Sequence, residues 1–297
     1  MGFREKIGKG EFVITTELTP PCGVNIDSVL RSAEFLKNKV DAINVTDMAG
    51  GIMRLGSLSL SHLIKEKGGE PIFQITGAHR NRLALQSEIL SASVLGIENV
   101  LCLSGDPPLE KGEKPAKPVF DLDSVGILKM IKRMEEGYDL SGRALEGRVR
   151  FFCGAAVDPN AENIEFQIEK MKRKIEAGAR FFQTQPVFNL DKFKRFMEKA
   201  GKLEVPILAG IIFLKNRKSA EYLNRNILGI SIPAEMIRRI EEAKEKEKES
   251  VEIAWELIRD LRGLCQGIHL MPLGKNELVN QLIEKMKRNG NLAGAPI

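Results

Sequence analysis

Eight short apolar runs, each followed by a stretch with the spacing of an amphipathic helix, limit what this chain can fold into more than any other feature. The runs are residues 12–17 (FVITTE), 42–46 (AINVT), 71–76 (PIFQIT), 99–104 (NVLCLS), 150–155 (RFFCGA), 179–185 (ARFFQTQ), 206–211 (PILAGI) and 266–271 (QGIHLM). Helical patterns occupy 28–37, 82–95, 124–135, 162–177, 191–200, 251–261 and, after the last run, 275–287. Most of the runs are near-continuously apolar, as strands covered on both faces are, and such strands belong to parallel sheets. Strand and helix in turn build a parallel sheet. Eight repeats predict closure into an α/β barrel of the (β/α)8, or TIM-barrel, type, with residues 1–297 as one domain. An open doubly wound sheet would carry a Gly-x-Gly-x-x-Gly turn after its first strand, and residues 18–25 read LTPPCGVN instead.

Composition narrows the class of protein. A hydrophobic content of 43% suits a sizeable core, and 29% charged residues suit a water-facing surface. The net charge of +5 is spread along the chain and aromatics are few, so no nucleic-acid partner is expected. The longest unbroken apolar run, 205–214, is about half of what a spanning helix needs, so no membrane partner is expected either. The first ten residues are polar and charged, unlike a signal peptide. Cys22, Cys102, Cys153 and Cys265 have neither metal nor redox spacing, so no metal site is expected and a reducing, cytoplasmic location is. Residues 106–121 read as the longest loop, 241–250 (EEAKEKEKES) as a solvated helix face, and 289–297 as a frayed tail.

In a barrel of this type the site is built from the C-terminal strand ends and the loops after them. There the chain places Glu17, Thr46 and Asp47, Gln74 and Thr76, Ser104 and Asp106, Ala155 and Ala156, Gln183 and Gln185, and His269. Acids in such loops are often ordinary turn residues. Glu17 is harder to explain that way, since glutamate is a poor turn former and Pro20-Pro21 follows it. A carboxyl held partly out of water retains its proton to higher pH, as a general acid requires. His269, flanked by Ile268 and Leu270, reads as a packed barrel residue, and the Asn-Val-Thr at 44–46 lies in a strand rather than at a glycosylation site.

Several of these segments carry a resemblance. The stretches TTELTPP (15–21), INVTDMAGGIMRLG (43–56), QITGAHRNRLALQSEIL (74–90), LGIENVLCLSGDPP (95–108), KRKIEAGARFFQTQPVF (172–188) and PILAGI (206–211), in this order, resemble the short bacterial and archaeal branch of the methylenetetrahydrofolate reductase family. The resemblance implies a flavin-dependent barrel that reduces a methylene-tetrahydropterin to its 5-methyl form by hydride transfer through the flavin. Glu17 then matches the general acid, Asp106 an aspartate beside the flavin and the pterin, and Gln185 a folate contact. Thr46, Gln74, Ala155 and Lys174 fall where the family binds flavin, with Asp47, Thr76 and Ser104 beside them at the same strand ends. Arg80, Asn81 and Arg82, at a helix start, suit a flavin phosphate. The flavin expected is FAD ahead of FMN, with NADH or NADPH as donor.

The chain departs from the family pattern at Val157, where some relatives carry an aromatic residue, and after the third strand. Many relatives have Thr-Cys-Arg-Asp-Arg-Asn, and this chain has Thr76-Gly77-Ala78-His79-Arg80-Asn81, which bears on the contacts to the cofactor's outer half. The resemblance also implies a homo-oligomer, and it leaves two variants open: tetrahydromethanopterin in place of tetrahydrofolate, or electrons from a partner subunit. A flavin-free pterin-binding methyltransferase barrel is the more distant alternative.

Overall fold

A computed structural model describes residues 1–108, 116–226 and 229–289. Eight strands, β1 (Val13–Leu18), β2 (Ala42–Val45), β3 (Pro71–Thr76), β4 (Asn99–Leu103), β5 (Phe152–Val157), β6 (Phe181–Pro186), β7 (Ile207–Ile212) and β8 (Gly267–Met271), pair in chain order. Every pairing is parallel, and β8 closes on β1, so the sheet has no edge. Outside it run α2 (Asp27–Leu36), α3 (Ser57–Glu66), α4 (Arg82–Val94), α5 (Ser124–Glu135), α6 (Ile164–Glu176) and α7 (Leu190–Ala200). They are followed by α8 (Arg217–Asn226), α9 (Ala234–Glu242), α10 (Lys246–Leu261) and α11 (Asn276–Arg288), and α1 (Phe3–Gly8) precedes the barrel.

All eight expected strands are present, with shifted ends. The run at 150–155 begins two residues before β5 because Phe151 N–H donates to the Glu135 carboxylate (2.9 Å) rather than to β4. The run at 179–185 likewise begins early because Ala179 N–H closes the end of α6 on the Lys174 carbonyl. The charged run at 241–250 is not one helix face: it spans the end of α9 and the first turn of α10. Of the expected loop and tail, residues 109–115 and 290–297 lie outside the described residues.

Side chains alternate across a strand, so inward positions recur every second residue and stack in levels inside the barrel. The lowest level is apolar: Val13, Ala42, Ile72, Leu101, Phe152, Phe181 and Leu208. Phe3 and Ile7 of α1 plug it from below, Phe3 meeting Phe181 edge-on at 5.3 Å between ring centres, while Phe181 stacks on Phe152 at 5.2 Å. Two residues further along, the inward groups are Thr15, Asn44, Gln183 and His269, all buried. Gly154 lies at this height because a Cβ there would stand 2.3 Å from the Phe181 ring. The strand ends then present Glu17, Thr46, Thr76 and Ala156. Polarity therefore rises from the plugged floor to the open, C-terminal mouth. The outward residues, among them Val45, Phe73, Val100, Cys102, Cys153 and Phe182, pack under the helices in the main core. Cys22 is the one exposed thiol.

The floor is a place where one side chain carries much of the closure. Phe3→Ala should lower stability by about 3–5 kcal/mol, the usual cost of deleting a buried phenyl ring. Urea unfolding of the variant against the parent protein measures it.

Candidate active site

The mouth is organised around Glu17. Its side chain is 19% exposed and faces His269 on the neighbouring β8, Oε2 to Nε2 at 3.7 Å. On its other side a cleft of about 280 Å³, lined by Asn25, Ser28, Ser32 and Asn276 among others, opens it to solvent. Glu17 thus sits between water and the buried polar level of the barrel. Across the mouth, β4 ends in Leu103, and Asp106 stands exposed at the rim. Gly105 makes this possible: with φ at +85° its missing Cβ would lie 2.8 Å from Thr76 Cβ and 3.0 Å from Ala78 Cβ. Only glycine lets the end of β4 lie on the end of β3.

Residues 116–122 continue that contact by folding back on the loop after β3. Val119 N–H donates to the Ala78 carbonyl (2.8 Å), and the Leu122 carbonyl oxygen lies 1.8 Å from where a Gly77 Cβ would be. The Gly-Ala at 77–78 is therefore matched to the chain's own loop. On β6 an extra residue interrupts the register between Gln183 and Pro186. Thr184 Oγ1 bridges the irregularity, accepting from Gly210 N–H (2.9 Å) and donating to the Gln185 carbonyl (2.7 Å). Gln185 is carried on it, half-buried at the rim. Bulges of this kind re-aim side chains beside active sites.

The charged residues fall into two groups. Asp47 is completely buried, and its oxygens are saturated: Oδ2 accepts from Thr76 N–H, Thr76 Oγ1–H and Arg80, and Oδ1 accepts a second Arg80 hydrogen bond. Arg80 also pairs with Glu88 at 2.6 Å. Burial opposes the Arg80 charge, but the bond to Asp47 and the charges of Asp47 and Glu88 prevail and raise its pKa; burial and Asp47 raise that of Glu88. Arg82 holds Asp121 through its backbone N–H and its side chain, which pulls the Asp121 carboxyl down to about 2. Asn81 caps α4, accepting from Ala84 N–H (3.0 Å). Ser104 Oγ accepts from Ser124 N–H (3.3 Å) at the start of α5. These residues brace the loops after β2, β3 and β4 against one another, so Arg80, Asn81 and Arg82 already have partners within the protein.

The second group is unmatched. Lys174, half-buried, donates to the Ala156 carbonyl (2.7 Å) and forms no salt bridge among the described residues. Burial, aided by Lys170, pushes its pKa down to about 8. Thr46 Oγ1 is buried without a hydrogen-bond partner, as is His79 Nε2. The His79 pKa is lowered by burial and by Arg80, against the pull of Asp47 and Asp106. Gln74 is inward and nearly buried. Ala155 faces the helices rather than the mouth, so only its backbone is available to a ligand. Asn44 is wholly buried inside the barrel, which agrees with setting aside its glycosylation pattern. His269 is buried but far from isolated; the sign of this in the sequence is a polar residue at an inward position of an otherwise apolar run, as at Thr15.

Eight parallel strands with amides, hydroxyls and carboxylates gathered at their C-terminal ends define a barrel with its site at the open end. The model of the methylenetetrahydrofolate reductase family matches residues 2–287, and the chain belongs to that family of oxidoreductases. It is 25% identical over 280 residues to the 5,10-methylenetetrahydrofolate reductase of Salmonella typhimurium, covering 91% of this chain and 89% of that one. It is 24% identical over 300 residues to methylenetetrahydrofolate reductase 2 of Schizosaccharomyces pombe, covering 94% of this chain but 46% of that one, so it spans less than half of that relative. Among solved structures, it superposes with a TM-score of 0.67 at 16% identity on an uncharacterized Clostridium thermocellum protein that binds two copies of 5-methyl-5,6,7,8-tetrahydrofolic acid, covering 95% and 99% of the two chains.

Because Asp47 is the buried anchor of the brace, Asp47→Asn should destabilise the protein by about 3–5 kcal/mol, as breaking a buried ion pair does. The midpoint of denaturant unfolding reports it, and a shift well under 1 kcal/mol would show that the pair contributes little.

Proposed function

We propose that this chain is a flavin-dependent reductase that converts a 5,10-methylene-tetrahydropterin, tetrahydrofolate in the first instance, to the 5-methyl form, with NADH or NADPH as donor. The observation that carries the reading is that a family match over residues 2–287 brings Glu17, Asp106 and Gln185 to the open end of one barrel. The fold neighbour that binds 5-methyltetrahydrofolate, the product in this reaction, lends support.

The residues present suit a flavin. Thr46 Oγ1 is an orphaned hydroxyl, Gln74 an inward amide, and Lys174 an ammonium group without a carboxylate partner. A heterocycle with polar edges and an anionic tail satisfies all three, with Lys174 taking phosphate in place of the already paired Arg80 and Arg82. The Ala155 backbone completes the wall. When bound, the flavin carries the hydride between donor and methylene carbon. FAD and FMN share the features these residues meet.

The chain's own part is acid catalysis, positioning and electrostatics. The bridged ring of the substrate must open to an electrophilic iminium before it accepts hydride, and Glu17 supplies the proton to the departing nitrogen. Its place between the solvent cleft and the barrel interior lets it be reprotonated from water after each turnover. The Asp106 carboxylate accepts hydrogen bonds from the pterin and favours the cationic iminium. Gln185, set by the β6 irregularity, orients the pterin from a third side.

The purified protein should show a flavin absorption spectrum that bleaches with NADH or NADPH in the absence of oxygen. Glu17→Gln should keep that behaviour and lose about 10²–10⁴ of the rate with methylenetetrahydrofolate. Normal turnover in the variant would remove Glu17 from the acid role. A flavin that neither nucleotide reduces would point to another electron donor, and a protein that takes up no flavin after reconstitution would favour the methyltransferase alternative.

Lys174 gives a pH dependence with a definite sign. Its charged form persists only below about 8 in the unliganded protein. Flavin dissociation constants should therefore rise about tenfold between roughly pH 7 and 9. Lys174→Gln should weaken binding and flatten that slope, as equilibrium titration by fluorescence would show.

A further inference from the structure

Below Glu17 the barrel holds a continuous chain of buried, uncharged polar groups. Asn44 Nδ2 donates to Gln183 Oε1 at 2.7 Å, and Gln183 Nε2 donates back to Asn44 Oδ1 at 3.0 Å. The second proton on Gln183 Nε2 goes to Thr15 Oγ1 at 3.2 Å. Thr15 Oγ1 in turn lies 3.0 Å from His269 Nδ1 and 3.3 Å from the Ile268 carbonyl. The far side of the imidazole, Nε2, faces Glu17 Oε2 at 3.7 Å. Thr15, Asn44, Gln183 and His269 are each at most 5% exposed. Among the described residues the Glu17 side chain makes no hydrogen bond, and His269 is its one neighbour of ion-pair type.

Counting donors narrows the chain to two arrangements. Both amide protons and the oxygen of Gln183 are committed, so Thr15 Oγ1 is an acceptor towards Gln183 and keeps a single proton to give. If that proton goes to His269 Nδ1, the neutral ring keeps its proton on Nε2; if it goes to the Ile268 carbonyl, Thr15 Oγ1 also accepts from Nδ1–H. The second arrangement sets the Nε2 lone pair against Glu17 Oε2, which is unfavourable whenever Glu17 is a carboxylate, so that state selects the first. A doubly protonated ring would place a full charge in a level that otherwise holds only neutral groups, at a desolvation cost.

We propose that His269 is a positioning residue for Glu17, held by the Asn44–Gln183–Thr15 chain as the neutral Nε2–H tautomer so that it fixes Oε2 of the carboxyl and leaves Oε1 to carry the transferable proton. The catalytic consequence rests on the acid role proposed above, whereas the tautomer is a property of the protein alone. Proton transfer is then confined to the oxygen on the solvent-cleft and substrate side. No proton passes through the ring, which has the same charge before and after each turnover.

Nitrogen-15 NMR of the histidine-labelled holoprotein tests the tautomer directly. Three histidines contribute, and His269→Gln identifies the relevant signal. A neutral ring with its proton on Nε2 is expected; a proton on Nδ1, or an imidazolium, at neutral pH would overturn the proposal. In stopped-flow measurements, His269→Gln and Thr15→Val should each slow reoxidation by methylenetetrahydrofolate roughly tenfold or more, with the donor half-reaction little changed. Thr15→Ser, which restores the hydroxyl, should recover both the rate and the tautomer. Unaltered reoxidation in both His269→Gln and Thr15→Val would refute the positioning role. If the parent protein itself fails to turn over methylenetetrahydrofolate, the reductase reading falls and the NMR result still decides the tautomer.

Discussion

The registration of β1 on β8 is the constraint on which the remaining structure depends. Val13 pairs with Gly267 and Thr15 with His269. A Cβ at Gly267 would stand 2.3 Å from the Val13 carbonyl oxygen, so the closing strands approach as nearly as their backbones allow. That register decides which residues share a level. It sets Thr15 beside His269 in the middle of the barrel and brings Glu17 one step above them. A slip by one residue would turn His269 outward among the helices and leave Glu17 without its neighbour, since side chains alternate from face to face. Barrel closure and site assembly are thus one event: the hydrogen bonds that remove the sheet's edges also place the carboxyl.

The gradient of polarity inside the barrel follows from the same geometry. Bulky groups can fill the floor because α1 covers it and glycine at 154 clears room for Phe181. Above it, buried polar groups are tolerable only when each has a partner, because an unpaired one costs about 1–3 kcal/mol. Asn44, Gln183 and Thr15 meet that condition among themselves and His269. Orphaned groups appear at the mouth, where Thr46 Oγ1 and His79 Nε2 lack partners within the protein.

Much of this was legible in the sequence, and the parts that were not share a cause. Strands announce themselves through local apolar runs, and Glu17 and Asp106 through their positions at the ends of such runs. The boundaries moved where a distant group took a backbone donor, as Glu135 does at Phe151. The same holds for charge. Arg80 and Arg82 read as cations at a helix start, which suits a phosphate. Their acids lie far away in the chain: Asp47 is 33 residues before Arg80, and Asp121 is 39 after Arg82. His269 and Thr15 are 254 residues apart, and no local pattern announces their contact. What could be read was the alternation that puts both facing inward, and in a closed barrel that places them in one enclosed volume.

The pairing of the arginines also explains how the site can be both rigid and receptive. An anion site needs positive charge, yet unpaired cations near a flexible loop bring little order. Here Arg80 and Arg82 tie the loops after β2, β3 and β4 into one unit, and Gly77 and Gly105 permit the close backbone contacts that complete it. Lys174 stands outside this brace, on a different helix, anchored by a single bond to the Ala156 carbonyl. Burial lowers its pKa, so its charge is costly in the protein alone, and on the reading proposed above a bound anion would stabilise it. On that reading the favourable energy of neutralising Lys174 goes to the ligand, whereas the arginines' has already gone into ordering the loops. A pair of functions that a single basic cluster would have to share is thereby divided between two sets of residues.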